Sequence, residues 1–135
     1  MSAHHYQQTA MRQYQSTGAA GAAHYANPYQ LIEMLLAGAL DRIARARGHM
    51  MHRQITQKIE AMNSVLSIIE YLHIQLDMDG GGGIAQNLGR LYHYMMQRLI
   101  KANADNDPLI LDEVASLLRE IKSAWDAIPQ NVRTR

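Results

Sequence analysis

The chain has 135 residues, with 13 Lys and Arg against 12 Asp and Glu, 7 His and no Cys. A net charge of +1 excludes strong electrostatic steering toward nucleic acid or a membrane surface, and the absence of Cys excludes disulfides and thiolate metal sites. The length fits one domain with a core that needs no covalent staple.

Phe is absent, while Met (9) and Tyr (7) are plentiful. Met fills irregular gaps and suits adaptable binding surfaces. Tyr combines an apolar body with a polar tip. The N-terminal residues lack the apolar run of a signal peptide, and no apolar run approaches membrane-spanning length. The expectation is a cytosolic, soluble, mostly helical protein.

Residues 1–26 are polar and rich in Ala and Gly, with Tyr6, Tyr14 and Tyr25 spaced through them. Gly18 and Gly21 argue against a long helix, so this segment reads as a flexible or partly helical arm. The first firm helix starts at Asn27-Pro28, an N-cap followed by a residue pre-set for the first helical position, with Gln30 completing a capping-box pattern. Leu31, Ile32, Leu35, Ala39, Ile43 and Ala46 form its apolar face. Arg42, Arg45 and Arg47 lie toward its C-terminus, where they oppose the macrodipole. Gly48 is the expected end.

A second helix is predicted over 53–77. Ile55, Ile59, Met62, Leu66, Ile69 and Leu76 follow helical spacing. Val65, Ile68 and Leu72 widen that stripe to an arc of about 180°, against about 100° for an ordinary surface helix. Gly80–Gly83 break the chain. A third helix over 84–103 carries Ile84, Leu88, Leu91, Tyr92, Met95 and Leu99 on one face, with Tyr94, Met96 and Ile100 outside it. Asp107-Pro108 repeats the cap-plus-proline start. The fourth helix, 108–127, has Ile110, Val114, Leu117, Leu118, Ile121 and Trp125 on a narrower face, and Asp112 and Glu113 are placed in its first turn to match the dipole. Pro129 opens a loose tail to residue 135. Short connections between amphipathic helices make an all-α, antiparallel up-down four-helix bundle, residues 27–128, the predicted fold.

Chemistry is scarce in this pattern. Glu70-x-x-His73 has the spacing used by di-metal bundles, but those need the motif on two helices and it occurs once here. His73 also falls on the apolar arc, where a satisfied core histidine is the simpler reading. The glycine run lacks the preceding strand and the Lys-Ser/Thr of a phosphate-binding loop. No serine has a defensible activating partner. Arg42, Arg45 and Arg47 are too small a basic patch for a nucleic-acid interface. No catalytic residue, metal ligand or cofactor is therefore assigned, and the chain is not expected to be an enzyme. The wide apolar arcs carry more information. On periodicity alone they serve packing or self-association as well as they serve a partner.

Four segments carry a family resemblance: Tyr14-Gln15; Ala26-Asn27-Pro28 through Leu31-Ile32-Glu33-Met34-Leu35 to Gly38-Ala39-Leu40; Ile84–Asn103, in the pattern IAxNLxxLYxYMxxRLIxAN; and Leu111–Ile128. In this order and spacing the chain resembles the bacterial flagellin export chaperones, the FliS family. Three positions depart from the family pattern. Asn27 replaces a usual Ser, which caps equally well. Gly83 stands where Glu is usual, removing a carboxylate from the third helix's start. His93 stands where an acidic residue is usual.

The resemblance implies a non-enzymatic cytosolic chaperone. Such proteins hold the C-terminal segment of flagellin, prevent its premature polymerisation and present it to the flagellar type III export apparatus. Contacts with export-gate components and a homodimer are compatible with it. Neither membrane insertion nor nucleic-acid binding is expected. Client contact is assigned to Tyr14 and Gln15 in the arm and to Ile32, Leu36, Val65, Ile68, Leu72, Tyr94, Met96 and Ile100 at the arc margins. Leu35, Leu66, Leu88, Met95, Leu118 and Trp125 are assigned to the core. The alternatives are a homodimeric bundle adaptor and, more remotely, a metal-binding bundle enzyme.

Overall fold

The computed structural model describes residues 27–76 and 80–128. Four helices account for nearly all of them: α1 (Pro28–Met51), α2 (Ile55–Ile74), α3 (Gly82–Asp105) and α4 (Pro108–Asp126). α1 packs on α2 and α4, and α3 packs on the same two, so the helices form a closed ring in chain order. This is the all-α up-down bundle expected from the periodicity. The arm, residues 1–26, and the tail, residues 129–135, lie outside the described residues.

The helix starts follow their caps. Asn27 Oδ1 accepts from the Gln30 amide at 2.9 Å, and Asp107 Oδ1 accepts from the Leu109 amide at 3.0 Å, each with proline at the first helical position. α3 is the exception. Its N-cap is Gly81, with no side-chain cap and no acidic residue in the first turn. Gly82 has φ +58°, a left-handed conformation that costs glycine alone nothing.

Leu35, Met95 and Leu118 are fully buried, with Leu36, Ile68, Ile69 and Leu99 beside them. Leu66, Leu88 and Trp125, expected in the core, are only partly buried and pack against its edge. Ile55, Ile59 and Ile84 continue the apolar spacing but stand exposed, because each lies in the first turns of its helix, near an end of the bundle.

Three local expectations are corrected. α1 runs past Gly48 to Met51, since one glycine lowers helix propensity without breaking the hydrogen-bond ladder. Arg42 is buried, not solvated, and Nη1 donates to the Gly38 carbonyl at 3.2 Å. Asp112 and Glu113 lie beyond the first turn of α4, which holds no acidic residue. They join helices instead of countering the dipole. Arg47 on α1 grips Asp112 through Nε and Nη2 at 2.8 and 3.2 Å. Arg98 Nε and Tyr94 Oη, both on α3, donate to the two oxygens of Glu113 at 2.7 and 2.6 Å.

At the other side of α3, Lys58 of α2 is buried and its Nζ donates to the Asn103 carbonyl at 3.2 Å and to Asn106 Oδ1 at 3.1 Å. Asn106 holds φ 53°, a left-handed cap that Asn tolerates better than most residues. A cation thus sits at the C-terminus of α3, where the dipole favours it.

Three predictions follow from this packing. The helical site of Gly48 has open space around it, with nothing within 4 Å of an added Cβ, so Gly48→Ala should raise unfolding free energy by about 1 kcal/mol in urea titration. Lys58→Met removes both donors from the α3 C-terminus and leaves the Asn103 carbonyl short of a partner. It should cost about 1–3 kcal/mol in the same assay. The hydrogen bonds from Tyr94 and then Arg98 hold the Glu113 carboxyl below its ordinary value of 4.5. A depressed folded pKa contributes stability that is complete above the unfolded value and is lost as pH falls through the folded one. Glu113→Gln should therefore flatten the acid limb of the stability curve below about pH 4.5, measured by urea midpoints across pH.

Candidate functional site

Each helix sends apolar side chains at spacing of three or four toward one end of the bundle, the end with the α1 N-terminus. α1 contributes Ile32 and Leu36, below Pro28 and Tyr29. α2 contributes Leu72, and just past its C-terminus Leu76 joins it, with Gln75 at the rim. α3 contributes Leu88 and Tyr92, and α4 contributes Ile121 and Trp125. Together they enclose a cleft of about 340 Å³. A spacing of four keeps two side chains on one face of a helix, so the pairs on α1, α3 and α4 converge with Leu72 and Leu76 on one hollow.

The wall between α1 and α4 is aromatic. The Tyr29 and Trp125 rings lie 5.1 Å apart at 30°, and Trp125 Nε1 donates to the Tyr29 carbonyl at 3.1 Å. This bond spans almost the whole described chain. Leu36 and Leu72 lie deep in the cleft, and Ile32, Leu88 and Ile121 are half-buried around them. Tyr92 is 4 % exposed, and burial pushes its phenol up to about 12.

A larger depression, about 510 Å³, lies along the outer side of α3, with His73 contributed by α2. Gln86, Gly89, Arg90, His93, Tyr94 and Gln97 line it. It is wide open, and most of its lining residues are polar in type. Among the described residues, no cluster of three His, Asp or Glu side chains stands close enough to hold a metal ion. Among them, too, no helix is long and apolar enough to cross a membrane.

The residues predicted for client contact divide into three groups. Ile32, Leu36 and Leu72 line the cleft. Val65 and Ile68 are wholly enclosed in the core. Tyr94, Met96 and Ile100 do not form one edge. Tyr94 leans on α4 through Glu113, whereas Met96 and Ile100 sit about 120–160° around α3 by helical spacing, on the α2 side that Asn103 marks through Lys58. Ile100 is 59 % exposed and Met96 is partly buried. Tyr14 and Gln15 lie outside the described residues. Sequence reasoning missed Tyr29, Leu76, Tyr92 and Ile121 as cleft residues, and it placed Leu88 and Trp125 in the core. The i, i+4 pairs Leu88–Tyr92 and Ile121–Trp125 were the available signal.

Comparison with known proteins places this geometry in a family. Residues 9–132 match the family described as flagellar protein FliS. Flagellar secretion chaperone FliSB of Pseudomonas aeruginosa is 46 % identical over 123 residues, covering 91 % of this chain and 98 % of that protein. Flagellar secretion chaperone FliS of Vibrio cholerae is 43 % identical over 104 residues, 77 % of this chain and 76 % of that one. The protein of the same name from Salmonella typhimurium is 39 % identical over 124 residues, 91 % and 92 % of the two chains. With a match across nearly its whole length and the four-helix ring that carries it, this chain belongs to the FliS family of flagellar secretion chaperones.

Proposed function

We propose that this protein binds the C-terminal segment of newly made flagellin in the cytosol, keeps it from polymerising, and delivers it to the flagellar type III export apparatus without catalysing a reaction. The observation that carries the reading is the end cleft. Apolar side chains from all four helices line a hollow that opens at the surface instead of closing into the core.

The physical logic is mass action between two uses of one apolar stretch. A segment destined to pack inside a filament is rich in apolar side chains and lacks its partners while unassembled. A disordered segment that orders on binding needs a surface offering apolar anchor pockets with polar rims. The cleft offers anchors from Ile32 and Leu88 and a rim from Gln75. Occupying the client's apolar residues there withholds them from filament growth.

The assay is calorimetric titration of the full chain with a flagellin C-terminal peptide. Ile32→Asp places a carboxylate at the half-buried edge of the cleft. It should weaken binding at least tenfold while the melting temperature stays within a few degrees of wild type. Unchanged affinity would remove the cleft from the client site. Ile100→Asp tests how far the footprint extends along the bundle. This side chain is already solvated, so the fold is retained, and lost affinity would add the α2–α3 flank to the binding surface. Ile68 is unsuited to this use, because a charge at a wholly enclosed position reports on folding.

A further inference from the structure

Tyr92 is out of place in the cleft as so far described. Its neighbours there are Leu36, Leu72, Leu88 and Ile121; it is nearly as buried as Leu36 and Leu72 and more buried than the other two. A buried phenol ordinarily finds a hydrogen-bond partner, as the part-buried Trp125 indole does in the Tyr29 carbonyl. No described residue hydrogen-bonds the Tyr92 hydroxyl. Desolvation is the whole cause of its raised pKa, with no contribution from a hydrogen bond or a charge. Nor is this oxygen sealed inside the protein. Among the described residues, Ser64 Oγ is the side-chain polar atom that is both enclosed and unpartnered. The Tyr92 hydroxyl therefore keeps some contact with solvent, and its side chain lines the cleft.

An occupant made only of apolar side chains would end that contact and strand the hydroxyl. A phenol that stays protonated throughout the physiological range acts there as a donor. We infer that Tyr92 is a specificity-determining residue of the cleft, donating its hydroxyl hydrogen to a carbonyl oxygen that the bound segment carries among its apolar anchors. Either an Asn or Gln side chain or a backbone carbonyl left free at a helix end supplies such an oxygen. The inference rests on the reading that the cleft holds the flagellin segment. It adds that recognition requires one acceptor at a fixed depth and is not hydrophobic matching alone. A site built to satisfy a buried donor rejects ligands lacking the acceptor more sharply than an apolar pocket rejects a change in size.

The test is Tyr92→Phe in the full chain, titrated with the flagellin C-terminal peptide. Affinity should fall about tenfold, the effect of losing one hydrogen bond to a buried donor. The free protein should melt at the same temperature or higher, because the substitution removes a polar group that has no internal partner. Replacing each Asn and Gln of the peptide by Leu identifies the source of the oxygen. For a side-chain acceptor, one replacement weakens binding to wild type and has no effect on binding to Tyr92→Phe. For a backbone acceptor, the loss on Tyr92→Phe persists with every peptide. Wild-type affinity in Tyr92→Phe overturns the inference, as does its unfolding, which would reveal an internal partner for the hydroxyl. Ile32→Asp separates the two levels. If it abolishes binding while Tyr92→Phe does not, the cleft reading stands and the hydrogen bond falls. If neither substitution matters, or the wild-type chain does not bind the peptide, both fall.

Discussion

The contact on which the site depends is the one between Trp125 and Tyr29. The indole N–H reaches the Tyr29 carbonyl at 3.1 Å and the two rings stack at 5.1 Å, tying the last described helix to the first turn of the first. This closes the ring at the end where the helices would otherwise splay. At the opposite end the same pair of helices is held by Arg47 and Asp112, an exposed ion pair of the kind worth little on its own. The aromatic contact removes apolar area from water and satisfies a donor at once, so it holds the α1–α4 wall where the cleft needs one.

Core and cleft are continuous, and the difference between them is one of depth. Midway along the bundle, facing side chains such as Leu35, Met95 and Leu118 meet and exclude everything. Toward the Trp125 end the helices present the same kind of spacing but do not fill the space between them. A fully packed end would be more stable. On the proposed reading, leaving it open places apolar groups and Tyr92 where an incoming chain can use them, a trade of stability for binding that functional sites commonly make. The start of α3 fits the same pattern. It has no side-chain cap, no acidic first turn and an exposed Ile84, so its first turn is held more weakly than the starts of α1 and α4.

Much of this was legible in the sequence. Caps at Asn27 and Asp107, each followed by proline, fixed two helix starts. The apolar spacing in four segments required a bundle and placed Leu35, Met95 and Leu118 in its core. Ile32, Leu36 and Leu72, assigned to client contact as arc margins, line the cleft. The misreadings share a cause. A helical wheel gives angles within one helix but not which neighbour each edge meets. Tyr94 and Ile100 therefore looked like one edge when they face α4 and α2 respectively. Asp112 and Glu113 looked like dipole-matching residues when their real partners, Arg47, Tyr94 and Arg98, lie on other helices. Position along the bundle axis was equally hidden. Trp125 has the spacing of a core residue and lies at the end, where the core opens.

Trp125 is the only tryptophan in the chain, and it stands in the cleft wall. Its emission is thus a direct reporter of whether flagellin's C-terminal segment enters there. Titrating the full chain with a Trp-free flagellin peptide should shift the emission to shorter wavelength and saturate at one peptide per chain, with the same midpoint that calorimetry gives. Calorimetric binding that leaves the Trp125 spectrum unmoved would put the client elsewhere on the bundle and contradict the account.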